Sequence, residues 1–380
     1  MAPDAAKRGF GQDGLEVEVL PDFFCMPPDV RQLFDAAERL DVQFGAGWYQ
    51  NLVETVFRDA AQCRLVVLRR HGQAIAALPL ATHPVQFGWG WRAMGNYYTT
   101  LFAVPTVEGV QASELAFLLR HLRKEQPRPH ALTFAPLQAD CAATALLRDA
   151  LKQSGLLTYE YFCSSNWYQP VSGAGQDYLA QRPGEVRSTL RRMGKKFVAN
   201  SGRMQIVTDP TPTHIEAFQA IYALSWKQTE PYPDFVPGLM RHCAARKWLR
   251  LGLAWVGEVP VAAQFWWVAN AKACIYKLAY DPAYRHLSPG TLLTAELMKH
   301  VIDQDHVVEI DYLSGDDAYK RSWMSQRRDR CGLVAFEPQS IGGAWGAAQH
   351  VIGRALASAL SRARNRNSGT ASARQDATSA

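Results

Sequence analysis

Paired cysteines, metal-binding spacings and long apolar runs are all missing from this sequence. Its seven cysteines are Cys25, Cys63, Cys141, Cys163, Cys243, Cys274 and Cys331. They are odd in number and none stands in a CxxC pair, which excludes a disulfide framework and a cysteine-based zinc site. The ten histidines are scattered without an HExxH spacing, so no metal is expected. No uninterrupted apolar run reaches the ~18 residues of a membrane-spanning helix. The longest candidate, residues 259–269, contains Gln264 and reads better as a buried strand. The start of the chain carries Asp4, Lys7, Arg8, Asp13, Glu16 and Glu18, with no apolar stretch behind a basic start. No signal peptide is therefore expected, and the chain is read as cytoplasmic with reduced thiols.

Charge of one sign is also scarce. The formal net charge is +6, and the segment from Arg354 to Ala380, with five arginines and one aspartate, holds +4 of it. The rest is nearly neutral, which argues against an extended nucleic-acid face and leaves room for a local phosphate pocket. What is present suits a globular chain: 380 residues, 48% hydrophobic and 20% charged, enough for two medium domains.

The hydrophobic pattern divides the chain. Residues 1–14 are polar and glycine-rich and are expected to be flexible. Residues 15–165 read as a mixed α/β domain. Its helices fall near 30–40, 48–57, 115–122 and 142–151; its strands at 64–70, 74–80, 132–135, 156–162 and 167–171. A basic helix over 185–200 carries one apolar stripe, Val186, Leu190, Met193 and Phe197, among Arg187, Arg191, Arg192, Lys195 and Lys196. That helix is either a solvated face or a phosphate-binding one. Helices at 213–227 and 235–246 follow. Leu249, Leu251, Leu253 and Trp255 then alternate strictly, the mark of a half-buried strand. Residues 166–338 close as β-β-β-α-β-α-β. In the segment 339–380, Trp345, Ala348, Ile352, Ala355 and Ala359 form an amphipathic helix pattern, ending in a basic run expected to be disordered. Such a helix would lie on anionic lipid or dock on its own domain or a partner.

The sharpest local signal is Ser288-Pro289-Gly290. Serine suits an N-cap and proline the first helical position. Gly290 permits close approach to the backbone. With Arg285 just before and Thr291 just after, this helix start can hold a pyrophosphate. An ordinary capped helix has the same pattern.

The order of elements resembles the GNAT superfamily of acyltransferases. Its phosphate loop reads Arg/Gln-x-x-Gly-x-Gly/Ala; here Arg285 is kept and Ser288-Pro-Gly290 replaces the Gly-x-Gly spacing. Five further stretches are similar to the FemAB-like branch, and more closely to acetyltransferase domains named after the cellulose-biosynthesis protein CelD. They are Tyr276-Lys277-Leu-Ala-Tyr280-Asp281, Asp311-x-x-x-Gly315, Tyr319-Lys320-x-x-Trp323, the hairpin Gly257–Ala262, and Trp226. The resemblance covers 185–337 and more weakly 40–165. It implies an α/β (α+β) tandem GNAT-like fold, a mixed central sheet flanked by helices with a degenerate first half. The acceptor would lie in the cleft between halves. It also implies acetyl-CoA or another acyl-CoA as co-substrate.

Amine acylation needs a neutral amine, a stabilised oxyanion and a proton for the departing thiolate. Asp311, at a strand end, and Asp316, in the next loop, are candidate proton acceptors. Asp316 would alternatively pair with Lys320 as a surface ion pair. By resemblance to Fem-type enzymes, Lys320 would stabilise the oxyanion rather than be a solvated lysine; by resemblance to GNAT enzymes, Tyr319 would protonate the thiolate, or else belong to the core. Lys277, Tyr280, Trp226 and Trp323 are candidate acceptor contacts. Alternation puts Lys277 on the face opposite Tyr276 and Leu278, either lining the channel or simply exposed. Trp89, Trp91, Tyr97 and Tyr98 form an aromatic cluster that either stacks on a sugar or belongs to the core.

The resulting expectation is an acyl-CoA-dependent N-acyltransferase. Its amine acceptor would be a small molecule or glycan precursor, by resemblance an amino sugar of a surface polysaccharide, with no sequence-specific nucleic acid. The alternatives are an aminoacyl-tRNA-dependent ligase of the Fem type and a non-catalytic scaffold in envelope-polymer assembly.

Overall fold

The computed structural model describes residues 8–10, 14–225 and 230–353. Strands β1 (Arg8–Phe10) and β2 (Leu15–Leu20) precede helices α1 (Pro28–Glu38) and α2 (Ala46–Thr55). Strands β3 (Cys63–Arg70), β4 (Gln73–Val85) and β5 (Gly88–Ala93) form a meander. Helix α3 (Ala112–Arg123), β6 (Ala131–Gln138), α4 (Ala142–Gln153) and β7 (Leu157–Pro170) complete the first half. Helices α5 (Gly175–Ala180) and α6 (Gly184–Ala199), β8 (Gly202–Val207), and helices α7 (Pro212–Leu224) and α8 (Phe235–Ala245) open the second. A second meander, β9 (Leu249–Val256), β10 (Val259–Ala269) and β11 (Lys272–Tyr280), is followed by α9 (Pro289–Asp303) and β12 (Glu309–Ser314). Helix α10 (Ala318–Trp323), β13 (Gln326–Phe336) and a terminal helix α11 (341–353) end the described chain.

All thirteen strands join one sheet in the order β1-β2-β3-β4-β5-β6-β13-β7-β12-β11-β10-β9-β8. The last strands of the two halves are exchanged. β13 sits between β6 and β7, and β7 between β13 and β12. The two stretches expected as separate strands at 156–162 and 167–171 are one strand, β7, because β13 pairs with it from Phe336↔Leu157 to Gln326↔Tyr168. The expected division at residues 165/166 falls inside that strand. Strands β2, β5 and β8 were not anticipated, and β1 lies in a stretch expected to be flexible. These strands are three to six residues long, so even the alternation of β2, Leu15-Glu-Val17-Glu-Val19, is too brief to stand out.

Alternation along β10 sends Phe265 and Trp267 into the core under α7 and α8, and Trp266 into the core under α9. Trp48 of α2 packs edge-on against Phe235, Trp267 and Tyr276, which ties the halves together. Asn51 donates to the Phe235 carbonyl at 3.0 Å, and Lys272 pairs with buried Asp41 at 2.7 Å. Trp91 belongs to the core and Trp89 packs against it, so this half of the aromatic cluster is structural.

Candidate active site

Parallel strands β11 and β12 pair only over Lys272–Cys274 and Glu309–Asp311. Beyond Cys274 and Asp311 they part, and a cleft of about 990 Å³ opens between them. Its walls come from the end of β11, the end of β12, the start of α9, α10, and Tyr97, Tyr98 and Thr100 of the first half.

Both strands are irregular where they part: β11 has an extra residue, Tyr276, against β10, and β12 is bulged. Its register against β7 slips between Asp311 and Ser314, and Leu313 is left-handed (φ 56°) although it has a bulky side chain. Such a residue is strained and must be held. Asp311 Oδ1 accepts from the Leu313 N–H at 2.6 Å. Asn166 of β7 donates to Asp311 Oδ1 at 2.5 Å and to the Leu313 carbonyl at 2.6 Å. Arg328 pairs with Asp311 Oδ2 at 2.5 Å. Asp311 is fully buried. Burial pushes its pKa up, but Lys272, Arg328 and Arg330 outweigh that and hold it below the usual carboxylate range. Asp311 does not reach the cleft. Both carboxylate oxygens are engaged in holding the bulge, a place that suits positioning rather than the expected acceptance of a proton. Asp316 also points away. It accepts from Trp167 Nε1 at 2.9 Å and pairs with Arg327 at 3.1 Å, rather than with Lys320.

Lys320 of α10 reaches into the bulge. Its ammonium donates to the carbonyls of Tyr312 (3.3 Å) and Ser314. Three donors are available to an ammonium, so one remains for the cleft. Gly315 allows this, since a Cβ there would come within 2.8 Å of Lys320 Nζ and its φ is +116°. Burial lowers the Lys320 pKa, with Asp317, Asp311 and Asp316 pulling the other way. Asp317 lines the cleft and caps α10, accepting from the Lys320 N–H at 3.0 Å.

Tyr319, Arg285, Ser288, Gly290 and Thr291 all line the same cleft. The Thr294 hydroxyl donates to the Gly290 carbonyl at 3.0 Å and accepts from Gln264 Nε2 at 2.8 Å. Its remaining lone pair takes the Tyr319 proton across 2.9 Å. Gln264 also donates to the Gly290 carbonyl (2.9 Å) and accepts from Trp266 Nε1 (2.9 Å). The polar residue that interrupts the apolar run of β10 thus anchors the first turn of α9. Burial raises the Tyr319 pKa and keeps its hydroxyl protonated.

Ser288 does not cap α9 with its side chain. It is left-handed (φ 52°, ψ 42°) and closes the 3-10 turn Pro282–Leu287 by donating its N–H to the Arg285 carbonyl at 3.0 Å. A residue before proline avoids the helical region, and Pro289 has no N–H to cap. The first turn of α9 therefore offers the amides of Gly290 and Thr291. Arg285 is exposed, with no carboxylate in salt-bridge reach among the described residues. Lys196 of α6 donates to the adjacent His286 carbonyl at 3.4 Å. Arg187, Arg191, Arg192 and Lys195 of α6 are exposed as well.

Lys277 forms the opposite wall and is buried, 7% exposed, rather than open to solvent. It pairs with Glu230 at 2.7 Å and lies 5.0 and 4.8 Å from the ring centroids of Tyr97 and Tyr98. Tyr222 closes the cage, 3.5 Å from the ammonium through its hydroxyl. Burial lowers the Lys277 pKa against the pull of Glu230. Tyr280 lines the cleft and packs beside Gly290. Trp323 is fully buried beneath Tyr319 and supports it without touching the cleft. Trp226 lies outside the described residues. Glu230, Tyr222 and Gln264 had no motif to mark them; only the fold brings them to the site.

Residues 184–321 match the family model described as an acetyltransferase (GNAT) domain. No curated protein sequence matches the chain. In structure the chain is similar to FemX, with a TM-score of 0.59 at 11% identity, covering 81% of this chain and 96% of that one. It is similar to a tandem GNAT protein from the clavulanic acid biosynthesis pathway (TM-score 0.51, 12% identity, 85% and 100% covered). The C-terminal domain of a candidate lysylphosphatidylglycerol synthetase from Agrobacterium fabrum also shares the fold (TM-score 0.51, 11% identity, 84% and 96% covered). With the splayed strands, the α9 start and these likenesses in hand, the chain has a tandem GNAT fold like that of FemX, and its residues 184–321 match the GNAT acetyltransferase model.

Proposed function

We infer that this protein transfers an acyl group from coenzyme A to an amine. The observation that carries this is one cleft holding an N–H-bearing helix start with an arginine at one side, the half-buried pair Lys320 and Tyr319, and the caged Lys277. The amides of Gly290 and Thr291 with Arg285 suit a pyrophosphate. An acyl-CoA so held supplies the thioester. The amine nitrogen attacks the thioester carbonyl, a C–N bond forms, and the C–S bond breaks. Lys320 steadies the oxyanion with its third N–H. The departing thiolate takes the Tyr319 proton, and the proton lost by the amine restores it. Asp317, the carboxylate on the cleft wall, is placed to draw the proton from an incoming ammonium.

Seven of the fourteen tyrosines line this cleft. Ring faces and hydroxyls beside a buried cation suit an acceptor with both apolar faces and polar groups, such as an amino sugar of a polysaccharide precursor. Thiol release from acetyl-CoA and longer acyl-CoAs over a panel of amino sugars and simple amines tests the reading. Acceptor-dependent release with at least one pair supports it; none with any pair refutes it. The unpaired cations of α6 beside the α9 start favour one rival, an aminoacyl-tRNA donor. That rival predicts transfer from aminoacyl-tRNA and none from the thioesters.

A further inference from the structure

Helix α11 is laid on the protein the wrong way round for a helix of a soluble domain. Its inner face is glycine and alanine: Gly342, Gly343 and Ala347 are buried. A Cβ at Gly346 would come within 2.6 Å of the Phe336 ring, and one at Gly343 within 2.1 Å of the Glu337 carbonyl, so this small face is needed for docking. The outer face carries the large apolar residues. Ile341 is 87% exposed, Trp345 49%, Val351 49% and Ile352 58%. Positions 341, 345, 348 and 352 are spaced by four, three and four, one stripe of a helix. Phe87, 66% exposed on the β4–β5 turn, packs edge-on against Trp345 and widens the stripe. Isolated exposed apolar residues are ordinary; a contiguous stripe is not.

We propose that α11 and Phe87 seat this protein on an anionic lipid surface. Residues 338–353 contain no Asp, Glu, Lys or Arg, so nothing charged would enter the acyl boundary with the stripe. Tryptophan and phenylalanine are suited to that boundary. The sequence that follows supplies the complementary charge: Arg354, Arg362, Arg364, Arg366 and Arg374 against one aspartate, Asp376. Each arginine near an anionic bilayer raises partitioning about fivefold.

Co-sedimentation of the full chain with vesicles of phosphatidylcholine, alone or mixed with phosphatidylglycerol, is the test. The proposal predicts binding to the mixed vesicles that weakens in high salt. It predicts at least about a tenfold loss for Trp345→Asp with Ile352→Asp, whose exposed side chains leave thermal unfolding unchanged. It also predicts a lost preference for phosphatidylglycerol in Arg362→Gln with Arg364→Gln and Arg366→Gln. Absence of binding to either vesicle overturns it, as does equal binding by the wild type and the Asp variant. A lipid-free dimer that the Asp variant turns into monomer also overturns it and assigns the stripe to a second copy.

Discussion

Lys320 and Asp311 show how close in sequence two residues can be and how different their work. Lys320 holds the bulge carbonyls with two protons and presents a third; replacing it by Met removes the charge and keeps much of the length. The expected result is a loss of roughly 10²–10³ in kcat with folding retained, measured by thiol release alongside thermal unfolding. Because burial depresses the Lys320 pKa, the wild-type rate should fall as pH rises through a value below the ordinary lysine range, and this limb should vanish in Lys320→Met. Asp311→Asn should instead cost stability, about 3 kcal/mol, by leaving Arg328 and Arg330 without their buried counter-charge. The sign of the linkage follows from its depressed pKa. The unfolded state binds the proton more readily, so Asp311 stabilises above the ordinary carboxylate pKa and that contribution is lost as pH falls below it. Chemical denaturation at neutral and acid pH should show the wild type and Asp311→Asn converging in acid. Lys320, Tyr319, Arg285 and Gly290, which share the cleft, could be picked out in sequence because each sits in a short local motif. The role of Asp311 was not, because Asn166 and Arg328 reach it from other strands.

At the scale of elements, the start of α9 depends on β10. Gln264 and Thr294 fix the Gly290 carbonyl and the Tyr319 hydroxyl together, so the turn proposed to bind phosphate and the proposed proton donor are held as one unit. Thr294→Val keeps the shape and removes the hydroxyl. It should cost about 1–3 kcal/mol, since the Tyr319 proton loses its acceptor in a buried place, and thermal or chemical unfolding measures this. The start of α9 was readable, from the proline at its first helical position. The left-handed Ser288 was not, because its conformation is set by the preceding 3-10 turn and the following proline. The stripe of α6 was read correctly in spacing but not in depth: only Phe197 is fully buried.

For the whole molecule, the decisive feature is the exchange of β7 and β13. The segment 184–321 that matches the family model contains neither strand. Alone it would expose the edge of β12 and strip Asp311 of Asn166 and Arg328, so it is expected to stay unfolded or aggregate when produced by itself. A sharp thermal transition of that fragment, seen by circular dichroism, would contradict this. The resemblance in element order and motifs implied the fold class, but not the exchange, since the pairing of strands so far apart in sequence leaves no periodic trace. The cage around Lys277 was half hidden for the same reason: Tyr97 and Tyr98 stood out as an aromatic cluster, while Tyr222 and Glu230 come from segments with no motif.

The account stands most directly on the claim that the α9 start binds an acyl-CoA. Thermal unfolding of the full chain with acetyl-CoA measures it, compared with the same titration on Thr291→Asp. An aspartate in the first turn favours the helix dipole and repels a phosphate, so it separates folding from binding. The account predicts a clear upward shift for the wild type, about 2.7 kcal/mol at 100 times Kd, and its loss in a variant at least as stable without ligand. No shift in the folded wild type, or an equal shift in Thr291→Asp, would contradict it.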